Sequence, residues 1–376
     1  MKRNNLLLFL MVGFGVIIIM FFSISAKSKN FSGEDAIKTR EELDKILTRA
    51  RESCGGASIT LGVLVGNEIV YANAFGVTNI DNPKPVTTRS LYHMASVSKP
   101  FVATAIMQLV EKGKIDLDQK LIYYLPYFKL ADEHYKEITI RQMLNHTAGI
   151  PDVYNYEWDK PQYDDGAAER YIRSLKNEKM IAVPGKVMRY SNMAFDILAD
   201  VIARVSGVTF EKYMKDNIFI PLEMNDTTYL KKEVPDKLAT FAHVVSGNGY
   251  WGKVVVSPVY PYNRAHAPSS TLHSNVIDMM KWGMVNLNKG EYKGKRILQA
   301  SSYDILWKPT RGGIGLSWVI SSYNGLTLIW HSGADTGFRS YFVMVPAKNI
   351  AIVSMGNSST CNPYQVVMST LEFLLR

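Results

Sequence analysis

Cysteine is nearly absent: Cys54 and Cys361 are the only two among 376 residues, too few for a disulfide framework and spaced like no zinc-ligand set. Histidine is sparse as well, seven in all, and no His-Glu-x-x-His run places two imidazoles on one helix face as a metalloprotease needs. Acidic residues are the minority, 34 against 43 basic, for a net charge of +9. That excess favours anionic surroundings, but the Lys and Arg residues are scattered and not interleaved with aromatics in a stripe, so nucleic-acid binding is not expected. Internal repeats and low-complexity tracts are missing too. Long apolar runs are missing except for one, Leu6 to Phe22.

That run follows Lys2 and Arg3 and precedes the small residues Ser23, Ser25 and Ala26, the order of a secretory signal. Its length also reaches the short end of a membrane span, about 17 to 25 residues, so residues 1–26 read as a signal peptide or as an N-terminal membrane anchor. Lys27 and Lys29 on its far side leave orientation open. Either reading exports the body of the chain, to a periplasmic or extracellular location, and the second adds membrane association through the N-terminal segment.

What is present is a globular composition, 47% hydrophobic and 20% charged. Apolar residues at helical spacing over 34–52 end at Cys54-Gly55-Gly56, and two strand-like runs, 59–65 and 69–75, flank a Gly66-Asn67 turn. Near the other end, 326–331, 341–345 and 350–355 read as strands, separated by turn-rich 333–337 and 346–349, with a closing helix over 363–375. The middle carries helical stretches at 101–112, 140–144 and 194–205, broken by loops rich in Tyr, Asp and Pro. The expected fold class is α/β of the α+β type: an antiparallel sheet built from both chain ends and flanked by helices, with an inserted helical lobe. The sheet-containing lobe takes 34–100 and 268–376, the helical lobe 101–267. If the last strand lies antiparallel beside the first, Cys54 and Cys361 become neighbours, and a disulfide is expected between them.

Three motifs carry chemistry. Ser96-Val97-Ser98-Lys99-Pro100 opens a helical pattern; Pro100 suits a helix's first turn, which puts Ser96 at the N-terminus with Lys99 one turn on, where the amine can reach the hydroxyl. Tyr190-Ser191-Asn192 sits at a loop-to-helix junction that can aim a tyrosine into a cleft. Tyr71-Ala72-Asn73 has the same form but lies within a strand pattern and reads as structural. Trp330-His331-Ser332-Gly333-Ala334 ends a strand, whose edge can offer a backbone N–H to an oxyanion while Gly333 lets a substrate approach the backbone.

In this order, the motifs resemble the penicillin-recognising serine hydrolases: class C β-lactamases, the D-alanyl-D-alanine carboxypeptidases close to them, and serine esterase relatives. Leu144-Asn145-His146-Thr147-Ala148-Gly149-Ile150-Pro151 and the segment from Trp330 to Asn357 add to the likeness. The resemblance implies a β-lactamase/transpeptidase-like fold and catalysis by Ser96, Lys99 and Tyr190, without metal or organic cofactor. It implies substrate binding by Asn192, His331, Ser332, Gly333 and Ala334, with the N–H groups of Ser96 and Ala334 as oxyanion hole. The partner is a small acyl amide or ester, a peptidoglycan peptide among the candidates.

Two departures bear on specificity. His331 stands where class C β-lactamases carry Lys, so a partial cation replaces a permanent one and efficient β-lactam hydrolysis is expected less than peptidase or esterase action. Ala267-Pro268-Ser269-Ser270-Thr271-Leu272 replaces an expected glycine-rich stretch. His146 reads as structural, and Tyr154, Tyr156 and Trp158 as bulky residues flanking the cleft. The alternative function is a penicillin-binding sensor or scaffold that acylates without turnover.

Overall fold

A computed structural model describes residues 33–247 and 252–376; the expectation for residues 1–26 lies outside them. No helix among the described residues is long and apolar enough to cross a membrane. Helix α1 (Gly33–Ser53) buries Leu43 and Leu47, one turn apart, and pairs Glu42 with Lys45 on its exposed side. Strands β1 (Ile59–Val65) and β2 (Glu68–Phe75) follow, then helices α2 (Lys99–Glu111), α3 (Asn192–Ser206) and α4 (Val276–Leu287). Strands β3 (Val319–Tyr323), β4 (Leu326–Asp335), β5 (Phe338–Val345) and β6 (Ile350–Gly356) precede helix α5 (Pro363–Leu375).

The six strands form one antiparallel sheet in the order β2-β1-β6-β5-β4-β3, so the chain's two ends meet at β1 and β6, with Ile59 opposite Gly356 and Val65 opposite Ile350. Both faces of β1 are covered. Ile59, Leu61 and Val63 join the core under α1 and α5, while Leu64 belongs to the core on the other face. A Cβ at Gly62 would come within 2.4 Å of Val276 on α4. This double burial is why β1 reads as a mostly apolar run, broken only by Thr60, rather than an alternating one. The larger core fills the space between the sheet and the inserted segments; Phe101 of α2 stacks on Trp282 of α4 at 3.9 Å.

The structure differs from the sequence reading at the C-terminal strands. β4 runs through to Asp335, and the turn before β5 is confined to Thr336 and Gly337, because Gly333 pairs with Ser340 and Asp335 with Phe338. Ser-Gly-Ala-Asp has little strand preference of its own, so the neighbouring strand decides. The edge strand β3 is an addition. Cys54 and Cys361 are bonded, Cα to Cα 4.4 Å, beside the start of β1 and the end of β6. Within β2, Tyr71 Oη and Asn73 Nδ2 both donate to Asp44 of α1, at 2.5 and 3.1 Å, a purely structural use of that triplet.

Candidate active site

Ser96 is the one residue between Leu91 and Leu109 that is not buried. A two-residue strand, Tyr92–His93, pairs with His273–Ser274, and the chain then turns through Ala95 at φ 47°, a conformation that non-glycine residues seldom adopt and that concentrates at functional sites. The turn Ala95–Ser98 runs directly into α2, with Pro100 in the first turn.

The Lys99 amine is wholly enclosed and makes three contacts: Ser96 Oγ at 2.9 Å, Asn192 Oδ1 at 2.6 Å and the Ser269 carbonyl at 2.7 Å. Asn192 cannot present its nitrogen instead, because its Nδ2 donates to both carboxylate oxygens of Asp152, at 3.0 and 3.3 Å. Asn192 Oδ1 and the Ser269 carbonyl can only accept. When the ammonium loses a proton, its two remaining N–H bonds stay on those acceptors and its lone pair faces Ser96, the one partner with a proton to give. Burial pushes the Lys99 pKa down to about 7, against the opposing pull of Asp196, Asp152 and Asp335, so the free amine is well populated near neutral pH.

Tyr190 lies just before α3, with the Lys99 amine 5.0 Å from its ring centre. Its ring forms part of the cleft edge, 37% exposed. Desolvation at the hydroxyl end pushes the phenol's pKa up, and the neighbouring Ser96 opposes that. His146 positions this ring: the two stack at 4.2 Å and 28°, and His146 Nδ1 accepts the Ser191 backbone N–H at 3.2 Å. Ser191 caps α3 through the Ala194 N–H and donates to the Pro151 carbonyl. Asp152 also accepts the Asn192 N–H at 2.7 Å. The segment around His146 and Pro151 thus orients the start of α3, in keeping with a structural His146.

Along β4, strand β3 pairs only as far as Trp330, so among the described residues no strand lies beside the far edge of His331–Asp335. Ser332 and Ala334 are exposed, while His331 and Gly333 are buried. The backbone that comes closest to Gly333 is the protein's own: a Cβ there would lie 2.3 Å from the Met94 carbonyl, which Ser340 Oγ holds at 2.6 Å. Gly333 therefore admits the turn that carries Ser96, where the sequence suggests room for substrate.

His331 also departs from expectation. Its Nδ1–H donates to the Ser332 carbonyl at 2.7 Å, which leaves Nε2 as a buried acceptor with no partner among the described residues. Burial, reinforced by the Lys99 charge, pushes its pKa down to about 3. At neutral pH the imidazole is uncharged, so the expected partial cation is not formed.

Three contributors escaped sequence reasoning. Asp152 directly follows the Leu144–Pro151 stretch and could have been found there. Ser269 acts through a backbone carbonyl, which residue identity does not announce. Asp196, in the first turns of α3, pairs with His266 at 2.7 Å, over which Tyr156 and Trp158 lie stacked on each other at 4.6 Å. Among the described residues, no group of three or more His, Cys, Asp or Glu side chains could hold a metal ion.

"Protein flp" of Staphylococcus aureus (strain MW2) is 27% identical over 307 residues, 80% of this chain and 59% of that protein. The chain thus spans about three-fifths of the length of that relative. "Penicillin-binding protein 4*" of Bacillus subtilis (strain 168) is 33% identical over 184 residues, 47% of this chain and 39% of that one. Among solved structures, the octameric penicillin-binding protein homologue from Pyrococcus abyssi superposes with a TM-score of 0.77 at 27% identity, covering 89% of this chain and 77% of that one. Residues 43–375 match the Beta-lactamase family, and the chain belongs to that family, within the β-lactamase and penicillin-binding protein superfamily.

Proposed function

We propose that this chain is an exported serine hydrolase that forms an acyl-enzyme on Ser96. The observation that carries the reading is the Lys99 amine: 2.9 Å from Ser96 Oγ, with its other two contacts to obligate acceptors, and its pKa held down to about 7 by burial. Free Lys99 takes the Ser96 proton as the oxygen attacks an acyl carbonyl. Tyr190, whose ring borders the Lys99 amine, relays a proton from it to the leaving alcohol or amine. The N–H groups of Ser96 and Ala334 receive the oxyanion, and water then releases the acid.

The uncharged His331 bears on substrate class. A D-alanyl-D-alanine peptide and a β-lactam each bring a carboxylate, and an imidazole with its one N–H tied to the Ser332 carbonyl offers that anion nothing. The geometry supports esters or amides lacking a carboxylate near the scissile bond. β-Lactam acylation, which the names of two of the relatives suggest, would be the slower reaction.

The test is turnover and intact mass with a short-chain nitrophenyl ester, a D-alanyl-D-alanine peptide and a β-lactam, for wild type and Ser96→Ala. Ester turnover should exceed the other two and fall at least ~10³-fold in the variant. Wild-type turnover in Ser96→Ala would overturn the assignment. A lasting adduct on Ser96 without turnover would replace the hydrolase with a sensor.

A further inference from the structure

Beyond the groups that touch Ser96, we propose that Asp335 is a positioning residue for the Ser96 reaction: its carboxylate clasps together the segments that carry the nucleophile, the carbonyl acceptor of Lys99 and the edge of β4. The inference rests on the serine-hydrolase reading above. Asp335 ends β4, one residue beyond Ala334. Its Oδ2 accepts from His93 Nε2 at 3.1 Å and, in a short bond, from Ser270 Oγ; its Oδ1 accepts the Thr336 N–H at 3.2 Å.

Each partner sits on a different wall of the site. His93, with no exposed side-chain surface, lies three residues before Ser96 in the strand that leads to the strained turn. Ser270 follows Ser269, whose carbonyl accepts from Lys99. The Ala267–Leu272 stretch, a departure from the family pattern in sequence, thereby acquires a role, because a glycine at 270 would have no hydroxyl to give.

The placement is costly, which argues that it has a use. The side chain of Asp335 is only 12% exposed. The nearby guanidinium of Arg339 donates instead to the carbonyls of Asp335 and Phe338. A carboxylate so enclosed depends on its hydrogen bonds, and those bonds to an anion are short and directional. The charge also reaches Lys99, whose ammonium Asp335 favours together with Asp152 and Asp196. Tyr190, His146 and His331 are the other titratable groups that face the amine.

The experiment compares Asp335→Asn, Ser270→Ala, Ser96→Ala and wild type of the full chain, reading kcat, KM, the pH profile of ester hydrolysis and the melting temperature. Asp335→Asn keeps the size but loses the charge and one acceptor oxygen. Its kcat should fall ~10- to 100-fold, the scale of a misplacement of about 1 Å, with KM little changed. Removing the negative charge disfavours the Lys99 ammonium, so the acid limb should move to lower pH; loss of folded protein alone would not move it. Ser270→Ala should lower kcat by a smaller factor and leave the limb in place. Wild-type kcat and an unmoved limb in Asp335→Asn, with Ser96→Ala inactive, would overturn the clasp and leave the hydrolase standing. Wild-type turnover in Ser96→Ala would instead remove the reading beneath it. Should Asp335→Asn fail to fold, an undiminished kcat in Ser270→Ala overturns the proposal.

Discussion

Lys99 shows how one side chain's surroundings become a rate law. Desolvation disfavours the ammonium, and three carboxylates at longer range only partly restore it. In the proposed reaction the base is the deprotonated form, so ester hydrolysis should climb about tenfold per pH unit below a limb near pH 7 and level off above it. Tyr190, whose pKa is pushed up, keeps its proton through this range and should cause no fall below its ordinary value of ~10. A kcat/KM profile from pH 5 to 9 checks this; a limb at pH 9 or beyond would mean that Lys99 is not the base. The pairing of Ser96 with Lys99 was legible in sequence because an i, i+3 relation within one helical turn is local geometry. The state of His331 was not, since its charge depends on enclosure by residues distant in the chain.

At the scale of elements, the start of α3 is where the second motif acquires its geometry. Ser191 caps the helix, and Asp152, forty residues earlier, receives both the Asn192 N–H and its side-chain amide. Asp152→Ala frees that amide to rotate and turn N–H bonds toward Lys99. We expect kcat for the ester to fall ~10- to 100-fold, part of what a positioned proton-transfer group contributes. Because Asp152 acts through Asn192, the double variant with Asn192→Ala should cost little more than either single change. Fully additive losses in that cycle would show that Asp152 works by another route. The loop-to-helix junction at Ser191 and the helix after it could be read from sequence; the partner loop could not, because its link to Asn192 is a tertiary contact. β4 shows the reverse failure, a segment with the composition of a turn held straight by β5.

For the whole molecule, the two chain ends are joined at β1 and β6. The Cys54–Cys361 bond closes a span of 307 residues and lies in the core beneath α1 and α5, across the sheet from the core that includes α2 residues such as Phe101. Cys54→Ser with Cys361→Ser should lower stability by about 2 to 5 kcal/mol while leaving kcat near the wild-type value. Denaturant melts with and without reductant, beside ester assays, test both halves; an unchanged melt would mean that the bond adds nothing. The sequence by itself determined five of the six strands of the central sheet, the helices that follow Ser96 and Ser191, and the resemblance to the family, because apolar periodicity and short motifs are properties of neighbouring residues. Only the tertiary structure decided that Lys99 rests on a carbonyl 170 residues away, that His331 is neutral, and that Asp335 joins three walls of one cleft. Burial and long-range hydrogen bonds arise when distant segments meet, and no local pattern of residues records them.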